Sequence, residues 1–538
     1  MDNDLGKKIV KRANTLKGLR GTWEHHWQEI ADLVFPNHAP FTDEVTPGQK
    51  RGMQAYDGTA IHSSELLAAG LHGMLTNPAS QWFSLGVRHR QEYSKDELEW
   101  LDMAERVMYT EIGRDSAGFG THIHEMYLEY IDFGTGILYT AENLKRRGVM
   151  FASPPLNECY CSENQIGVID TLYRIFKWPL HRVVEKWGIE NVSEPLQKKF
   201  KAEKYDEMVE LVHAVEPWPV KDRPPLAEFT YRSVFVEKDR KHLLEETGFM
   251  EFPYSVPRFY KAAGEVYGRG PGVTALPDVK MLNEMMKNTL LAARKVVSPP
   301  LMVPSEGFLG PIRTVPDGIN YFNVGMKDRV EPLITGADVP LGLEIMNEVR
   351  ERIRAIFFID QLQLNQGPQM TATEVMQRTE EKLRLMGPIL GRMQAEALGP
   401  MIERVFGILM RQELIPEPPE SLQGQELKID YISPIAKAQQ QLEANSLMRV
   451  LEISNPLVAA DPTLMQKFNG EAIVDGLSEM FNLRPSFTRS DDEIAKIREQ
   501  QAQQQQMQAA AETFKTAAGG AKDLGMAMEG TGGGLPRE

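Results

Sequence analysis

At 538 residues the chain is too long for one core of ordinary size, so two to four packed regions are expected. Its 42% hydrophobic and 25% charged residues are the balance of a soluble globular protein, and even the greasiest stretch, Met401 to Met410, carries Glu403 and Arg404, which argues against a membrane span. Against 75 acidic residues stand 60 basic ones, and the net charge of −15 has the wrong sign for a protein that grips nucleic acid by neutralising its phosphates.

The N-terminus, Met1-Asp2-Asn3-Asp4, opens acidic and lacks the apolar core of a secretory signal, so the chain is expected to stay in the cytoplasm where it is made. Residues 7–33 have helical spacing, with Ile9, Leu16, Trp23, Trp27 and Ile30 recurring on one side before Pro36 ends the run. That stripe marks a docking helix. Helical spacing returns at 58–75, 95–113 and 120–132. From Gly136 to Trp178 the pattern changes to short β-branched or aromatic segments, such as Ile137 to Thr140 and Thr171 to Phe176, which read as strands. Residues 180–187 and 194–213 read as helices, and Phe229 to Val236 alternates as a strand. A mixed α+β region ending near Gly270 follows from these elements.

The clearest element is a helix over 276–297, opened by Pro277 and Asp278 and stopped by Ser298-Pro299-Pro300. Roughly 22 residues at 1.5 Å each make a rod of about 33 Å. Val279, Leu282, Met286, Leu290 and Val297 form its apolar stripe, while Lys280, Glu284, Lys287, Arg294 and Lys295 line another side. A second rod over 341–358 repeats the design, with Met346, Val349, Ile353 and Ile356 opposite Glu344, Glu348, Glu351 and Arg352. Between the rods lies a Pro- and Gly-punctuated module, 298–338, with strand-like segments at 312–315 and 319–324. Asp360 to Gln369 is a polar loop without acid-base machinery. Thr371 and Glu374 then form a capping box for a long helix running to about Gln412, bent where Gly387-Pro388 and Gly399-Pro400 interrupt it. Further helical patterns occupy 434–480, and from Glu499 the chain turns Gln-, Ala- and Gly-rich, helical first and disordered last.

Familiar catalytic signatures are absent from the sequence. There is no GxxxxGK[ST] phosphate cradle, and in Gly268-Arg269-Gly270-Pro271-Gly272 the proline removes an amide donor, so a tight turn feeding the helix is the better reading. His122, His124, Glu125, Cys159 and Cys161 are metal-ligand types, but His-x-His on a helix points its rings about 200° apart, and the cysteine pair has no partner motif. The same i,i+2 spacing suits no easy mutual disulfide. No cofactor, metal or catalytic residue is expected.

Several short motifs stand in a set order. They are Trp23 and Trp27 before Pro36; Asn77-Pro78 leading to Trp82-Phe83; Phe133-Gly134-Thr135-Gly136; and Tyr267-Gly268-Arg269-Gly270-Pro271-Gly272 followed by Pro277-Asp278. Next come Pro299-Pro300; Pro316-Asp317-Gly318; Met370-Thr371-Ala372-Thr373-Glu374-Val375; Leu390-Gly391-Arg392 with Glu396 and Pro400; and Tyr431-Ile432-Ser433-Pro434. In this order, over roughly residues 10–480, the chain resembles the head-to-tail connector (portal) family of short-tailed phages, the podoviruses. The resemblance implies a mixed α+β, predominantly α-helical subunit of portal type. It places a wing at 1–270 and 371–430, a two-helix stem at 271–297 and 339–359, a small β-containing clip at 298–338, a tunnel loop at 360–370 and a helical crown at 431–500. The tail, 501–538, lies outside it.

The same resemblance implies a virion protein rather than an enzyme: a ring of usually twelve subunits at one capsid vertex, through which double-stranded DNA enters and leaves. Terminase, tail adaptor, major capsid and scaffolding proteins are the implied partners, with no membrane. Channel candidates are Lys280, Glu284, Lys287, Arg294, Lys295, Gln361, Gln363, Asn365, Gln366 and Gln369. Candidates for packing between subunits are Val279, Leu282, Met286, Leu290, Met346, Val349, Ile353 and Ile356, and candidates for docking terminase or adaptor are Glu306, Phe308 and Arg313. On this reading Val349→Asp or Ile353→Asp breaks ring assembly while the wing stays folded. The alternatives are a monomeric scaffolding or adaptor protein of the virion and a metal-dependent hydrolase relying on His122 or Cys159; only the portal reading predicts rings.

Overall fold

The computed structural model describes residues 2–38, 40–42, 46, 48–52, 55–88, 93–219, 229–298, 301–302, 331–332, 339–362, 386–425, 427–432, 444, 446–454 and scattered positions from 470 to 507. Helix predominates over strand. Two compact units emerge, one from residues 1–84, 107–415 and 431–435, the other from 85–106, 416–430 and 436–538.

In chain order, α1 (Asp2–Leu33) and α2 (Thr59–Leu75) are followed by β1 (Phe83–Val87), α3 (Lys95–Ile112) and α4 (Phe119–Asp132). Next come β2 (Leu138–Glu142), β3 (Val149–Ala152), β4 (Cys159–Glu163) and β5 (Ile169–Pro179), then α5 (Leu180–Trp187) and α6 (Glu194–Lys201). The run closes with β6 (Met208–Pro217), β7 (Tyr231–Glu237), β8 (His242–Phe249) and β9 (Tyr254–Ser255). Strands β4 to β8 form an antiparallel sheet in sequence order, while β2 sits between β3 and β9 in a smaller one. The stripe on α1 does dock: Ile9, Val10, Ala13 and Leu16 cover Tyr173, Val212, Ala214, Val234 and Val236 on one face of the large sheet. On the other face Val209 and Leu211 meet Leu180, Val183, Trp187 and Leu196 of α5 and α6. Full burial of one such aliphatic side chain contributes about 1.5–3 kcal/mol.

The expected helix over 194–213 is corrected. Helix α6 ends at Lys201, the chain reverses through Glu203 at φ 59°, and Met208 begins a strand paired on both sides, by β5 and by β7. Val209 and Leu211 face one layer while Val212 and Ala214 face the other, so a period of two serves a sheet covered on both faces. Tertiary pairing decides this segment over its helical spacing.

The first rod also starts earlier than its spacing predicts. Helix α7 (Pro271–Val297) begins with Pro271 at its first position after an extended Gly270, so Pro277 lies inside the helix rather than in its first turn. At 1.5 Å per residue it is about 40 Å long. Helix α8 (Val339–Ile356) packs on α7 and α2, and a further helical turn, α9 (Ile359–Leu362), occupies the start of the expected polar loop. Of the 298–338 module, Leu301–Met302 pairs with Glu331–Pro332; the expected strands at 312–315 and 319–324 lie outside the described residues, as do the capping box and most of 433–538. Residues 386–411 are helical. At the expected second bend Gln394–Leu398 forms a π turn, in which Gly399 N donates five residues back to Gln394 O, and the helix Gly399–Arg411 follows. Pro400 has no amide for the Glu396 carbonyl, which is the local reason the turn widens.

In the second unit, Ser94 and Glu97 cap the start of α3 reciprocally: Ser94 N donates to Glu97 Oε2 at 2.7 Å and Glu97 N to Ser94 Oγ at 3.4 Å. Glu105 accepts the amide of Leu85 at 2.7 Å and so ties β1 to the same helix. No helix among the described residues is long and apolar enough to cross a membrane.

Candidate functional site

Motifs far apart in sequence meet where α7 begins. Phe133-Gly134-Thr135-Gly136 leaves the end of α4 and crosses Tyr267–Gly272 so closely that side chains have no room: a Cβ on Gly134 or Gly268 would overlap the other's backbone, and one on Gly270 the carbonyl of Ile131. Gly134 also sits at φ 84°, in the left-handed region. Thr135 Oγ1 accepts the amide of Gly268 at 2.8 Å, and Arg269 N donates to Tyr260 O at 2.7 Å. With those amides engaged and Pro271 lacking one, the glycine-rich loop joins strand-like backbone to helix instead of cradling a phosphate. Trp27 places its ring edge-on to Tyr267 at 5.2 Å and to Phe133 at 6.4 Å, and Tyr267 Oη accepts the amide of Cys161. Arg20, 1% exposed, donates to the carbonyls of Leu156, Asn157 and Cys159 and stacks over Tyr160 at 3.9 Å, fastening α1 to the same junction.

A buried acid and a buried guanidinium flank the junction. Asp132 is wholly buried at the end of α4; burial pushes its carboxyl up to about 7, against the hydrogen bond from Ser64 Oγ at 2.8 Å and assisted by the nearby Glu65 charge. Its Oδ1 has no hydrogen-bond partner among the described residues. The π turn aims Glu396 at Arg258, which is 2% exposed. Glu396 accepts from Arg258 Nε at 3.1 Å, Nη2 at 2.8 Å and backbone N at 2.9 Å. Arg258 Nη1 donates to Glu163 at 2.7 Å, and Lys261 completes the chain to Glu163 at 2.7 Å. A network of alternating charge thus ties the helix to the β4–β5 hairpin. Nothing in the sequence pairs Arg258 with Glu396; Gly399-Pro400 alone hinted at irregularity there.

The rods are placed as follows. Val279, Leu282, Met346, Val349 and Ile353 are buried by the chain's own helices; Met286 and Ile356 are half-buried, and Leu290 is 53% exposed. The two amphipathic segments can meet within one chain because the cost of closing a loop grows only slowly with its length, so the long connection over 298–338 adds little. Among the channel candidates, Lys280 pairs with Glu29 of α1 at 2.8 Å and Lys287 with Glu284 at 3.7 Å. Arg294 and Lys295 are exposed and have no ion-pair partner among the described residues. They sit in the last turn of α7, where cations suit the helix dipole. Gln361 belongs to α9, while Gln363, Asn365, Gln366 and Gln369, like Glu306, Phe308 and Arg313, lie outside the described residues. Arg350 anchors α8 by donating to Asp57 Oδ2 at 2.8 and 3.0 Å. Burial raises the Asp57 carboxyl, but the hydrogen bonds from Thr59 and the Arg350 guanidinium outweigh it and hold the group below its ordinary value.

Of the metal-ligand types, His122 pairs with Glu125 at 2.8 Å on the surface, His124 faces the ring of His72, and Cys159 and Cys161 are buried free thiols of β4. No group of three or more His, Cys, Asp or Glu among the described residues is placed to hold a metal ion. A cavity of about 480 Å³ is lined by Asn77, Pro78, Trp82, Tyr109, Phe119 and Thr121, which puts one more motif around a single concavity.

A family model described as bacteriophage head to tail connecting protein matches residues 6–488. Over 535 residues the chain is 30% identical to the "Probable portal protein" of Bordetella phage BPP-1, spanning 96% of this chain and 95% of that one. Over 533 residues it is 29% identical to the "Portal protein" of Salmonella phage epsilon15, again spanning 96% and 95%.

Proposed function

The chain belongs to the bacteriophage head to tail connecting protein family, and from that premise we propose that it is a phage portal subunit, a structural protein of the virion. The observation that carries this reading is likeness to two proteins named as portal proteins along nearly the whole of both chains. Copies ring one capsid vertex, twelve in the arrangement usual for portals, and double-stranded DNA passes through the central channel during packaging and ejection. Residues 1–270 and 371–430 form the wing, α7 and α8 the stem, 298–338 the clip, 360–370 the tunnel loop and 431–500 the crown. Terminase and tail adaptor dock on the clip through Glu306, Phe308 and Arg313, while capsid and scaffolding proteins meet the outer ring.

The charge balance supports a channel through which DNA slides. At −15 per copy a ring of this chain repels or only weakly holds a polyanion, and screening over about 8 Å at physiological salt keeps that repulsion short-ranged. Arg294 and Lys295 are then the local attractors on α7, together with the polar side chains of the tunnel loop. Negative-stain imaging and static light scattering of the purified chain test the reading. Rings with a mass many times 60.8 kDa are expected, and a single 60.8 kDa species at every concentration and salt overturns it.

A further inference from the structure

Copies standing side by side around an axis meet through heterologous contacts, so each must carry two different surfaces that fit one another. The β2–β3 hairpin offers one. Its tip presents Leu144, 85% exposed, followed by Lys145, Arg146 and Arg147, all exposed and none with an ion-pair partner among the described residues. In an acidic protein this is a concentrated positive point. The tip is also held in shape. Asn143 N donates to Gly148 O at 3.0 Å, and Arg146 N to Asn143 Oδ1 at 3.1 Å. Gln412 braces it from the helix Gly399–Arg411, accepting the amide of Gly148 through Oε1 and donating to Glu142 through Nε2 at 2.8 Å. Arg147 is kept at φ 55°, a conformation side chains seldom adopt and one that persists only where the surroundings over-determine it. A turn fixed in advance loses little entropy on binding.

The other surface is a cleft of about 570 Å³ at the start of α6. Val192, Pro195 and Leu243 wall it, and Glu190 and Glu194 line its edge, both exposed and without an ion-pair partner among the described residues. Arg240 also lines it, which leaves the carboxylates in excess. Ser193, 8% exposed, also lines the cleft. The cleft therefore offers an apolar seat and two carboxylates.

We propose that the Leu144–Arg147 tip of one copy docks in the Glu190–Glu194 cleft of the next, with Leu144 against the apolar wall and the cations on the carboxylates. The proposal rests on the portal reading, which supplies the second copy. A DNA backbone suits the tip less well, because it offers no apolar seat for Leu144.

The full chain is tested in three forms: Lys145→Glu with Arg146→Glu and Arg147→Glu, Glu190→Lys with Glu194→Lys, and the two sets combined. Every substitution is at an exposed side chain, and circular dichroism verifies that each form is folded. Each set alone is expected to raise the concentration needed for half-assembly, read by analytical ultracentrifugation, by about tenfold or more, and the combination to restore assembly. Wild-type assembly in either single set, or no rescue in the combination, overturns the contact. Weakened retention of a short DNA duplex by the first set with rings intact overturns it in favour of a polyanion. A wild-type chain that never assembles defeats the portal reading and this contact together, whereas rings indifferent to both reversals defeat the contact alone.

Discussion

Asp132 carries the clearest consequence at the scale of a single residue. Its carboxyl holds a proton up to about 7 in the folded chain and releases it near 3.8 when exposed, so the native state binds the extra proton across that window. Stability then falls as pH rises from about 4 through 7 and stays low above it. Asparagine keeps the oxygen that accepts from Ser64 and removes the ionisation. Asp132→Asn is expected to raise Tm by a few degrees at pH 8 and to lose that advantage by pH 5. Thermal melts at the two pH values decide it, and equal gaps at both would show that the carboxyl does not titrate in this range.

Among elements, the π turn and the rods make separate predictions. Because the turn exists to carry Glu396 onto a guanidinium buried at 2%, Glu396→Gln leaves Arg258 with Glu163 as its remaining carboxylate and is expected to cost about 3 kcal/mol. A urea titration reads this as a lowered midpoint at unchanged slope. For the rods, the expectation that Ile353→Asp breaks ring assembly while the wing stays folded gains a second readout. Ile353 is fully buried against the chain's own helices, so the substitution places a carboxylate in the fold's interior and is expected to lower the Tm of the unassembled chain itself. Leu290→Ser, at a residue 53% exposed, is expected to leave Tm within about 2 °C of wild type, since surface changes stay near 0.5 kcal/mol. A comparison of the two variants by calorimetry separates the covered stripe from the open one.

For the whole molecule, the proposed channel makes a prediction about DNA that rests on the net charge of −15 and on Arg294 and Lys295, which have no ion-pair partner among the described residues. Retention of a duplex by assembled rings should be weak and should fall only gently with salt, because few phosphates are neutralised. Arg294→Ala with Lys295→Ala should flatten the dependence of log affinity on log salt by about one for each cation that touched a phosphate. A slope unchanged in the double variant removes both residues from the channel.

What the sequence alone determined is what local spacing and charge control: the docking stripe of α1, the existence of α2, α4, α7 and α8, the acidity, and the ordered motifs that resemble one phage family. The glycine motifs were legible as motifs, yet only folding shows why they are glycine, since Gly134 and Gly268 are pressed together by a crossing of segments more than 130 residues apart. Tertiary structure also decided that 208–213 is strand, that Glu396 meets Arg258 across 138 positions, and that Val279 and Leu282 of one rod and Met346, Val349 and Ile353 of the other are buried within one chain while Leu290 is left exposed. The physical reason is common to all three. Sheet pairing, charge pairing and helix packing each depend on a partner whose position in sequence is free, while periodicity reports only what one segment can do by itself.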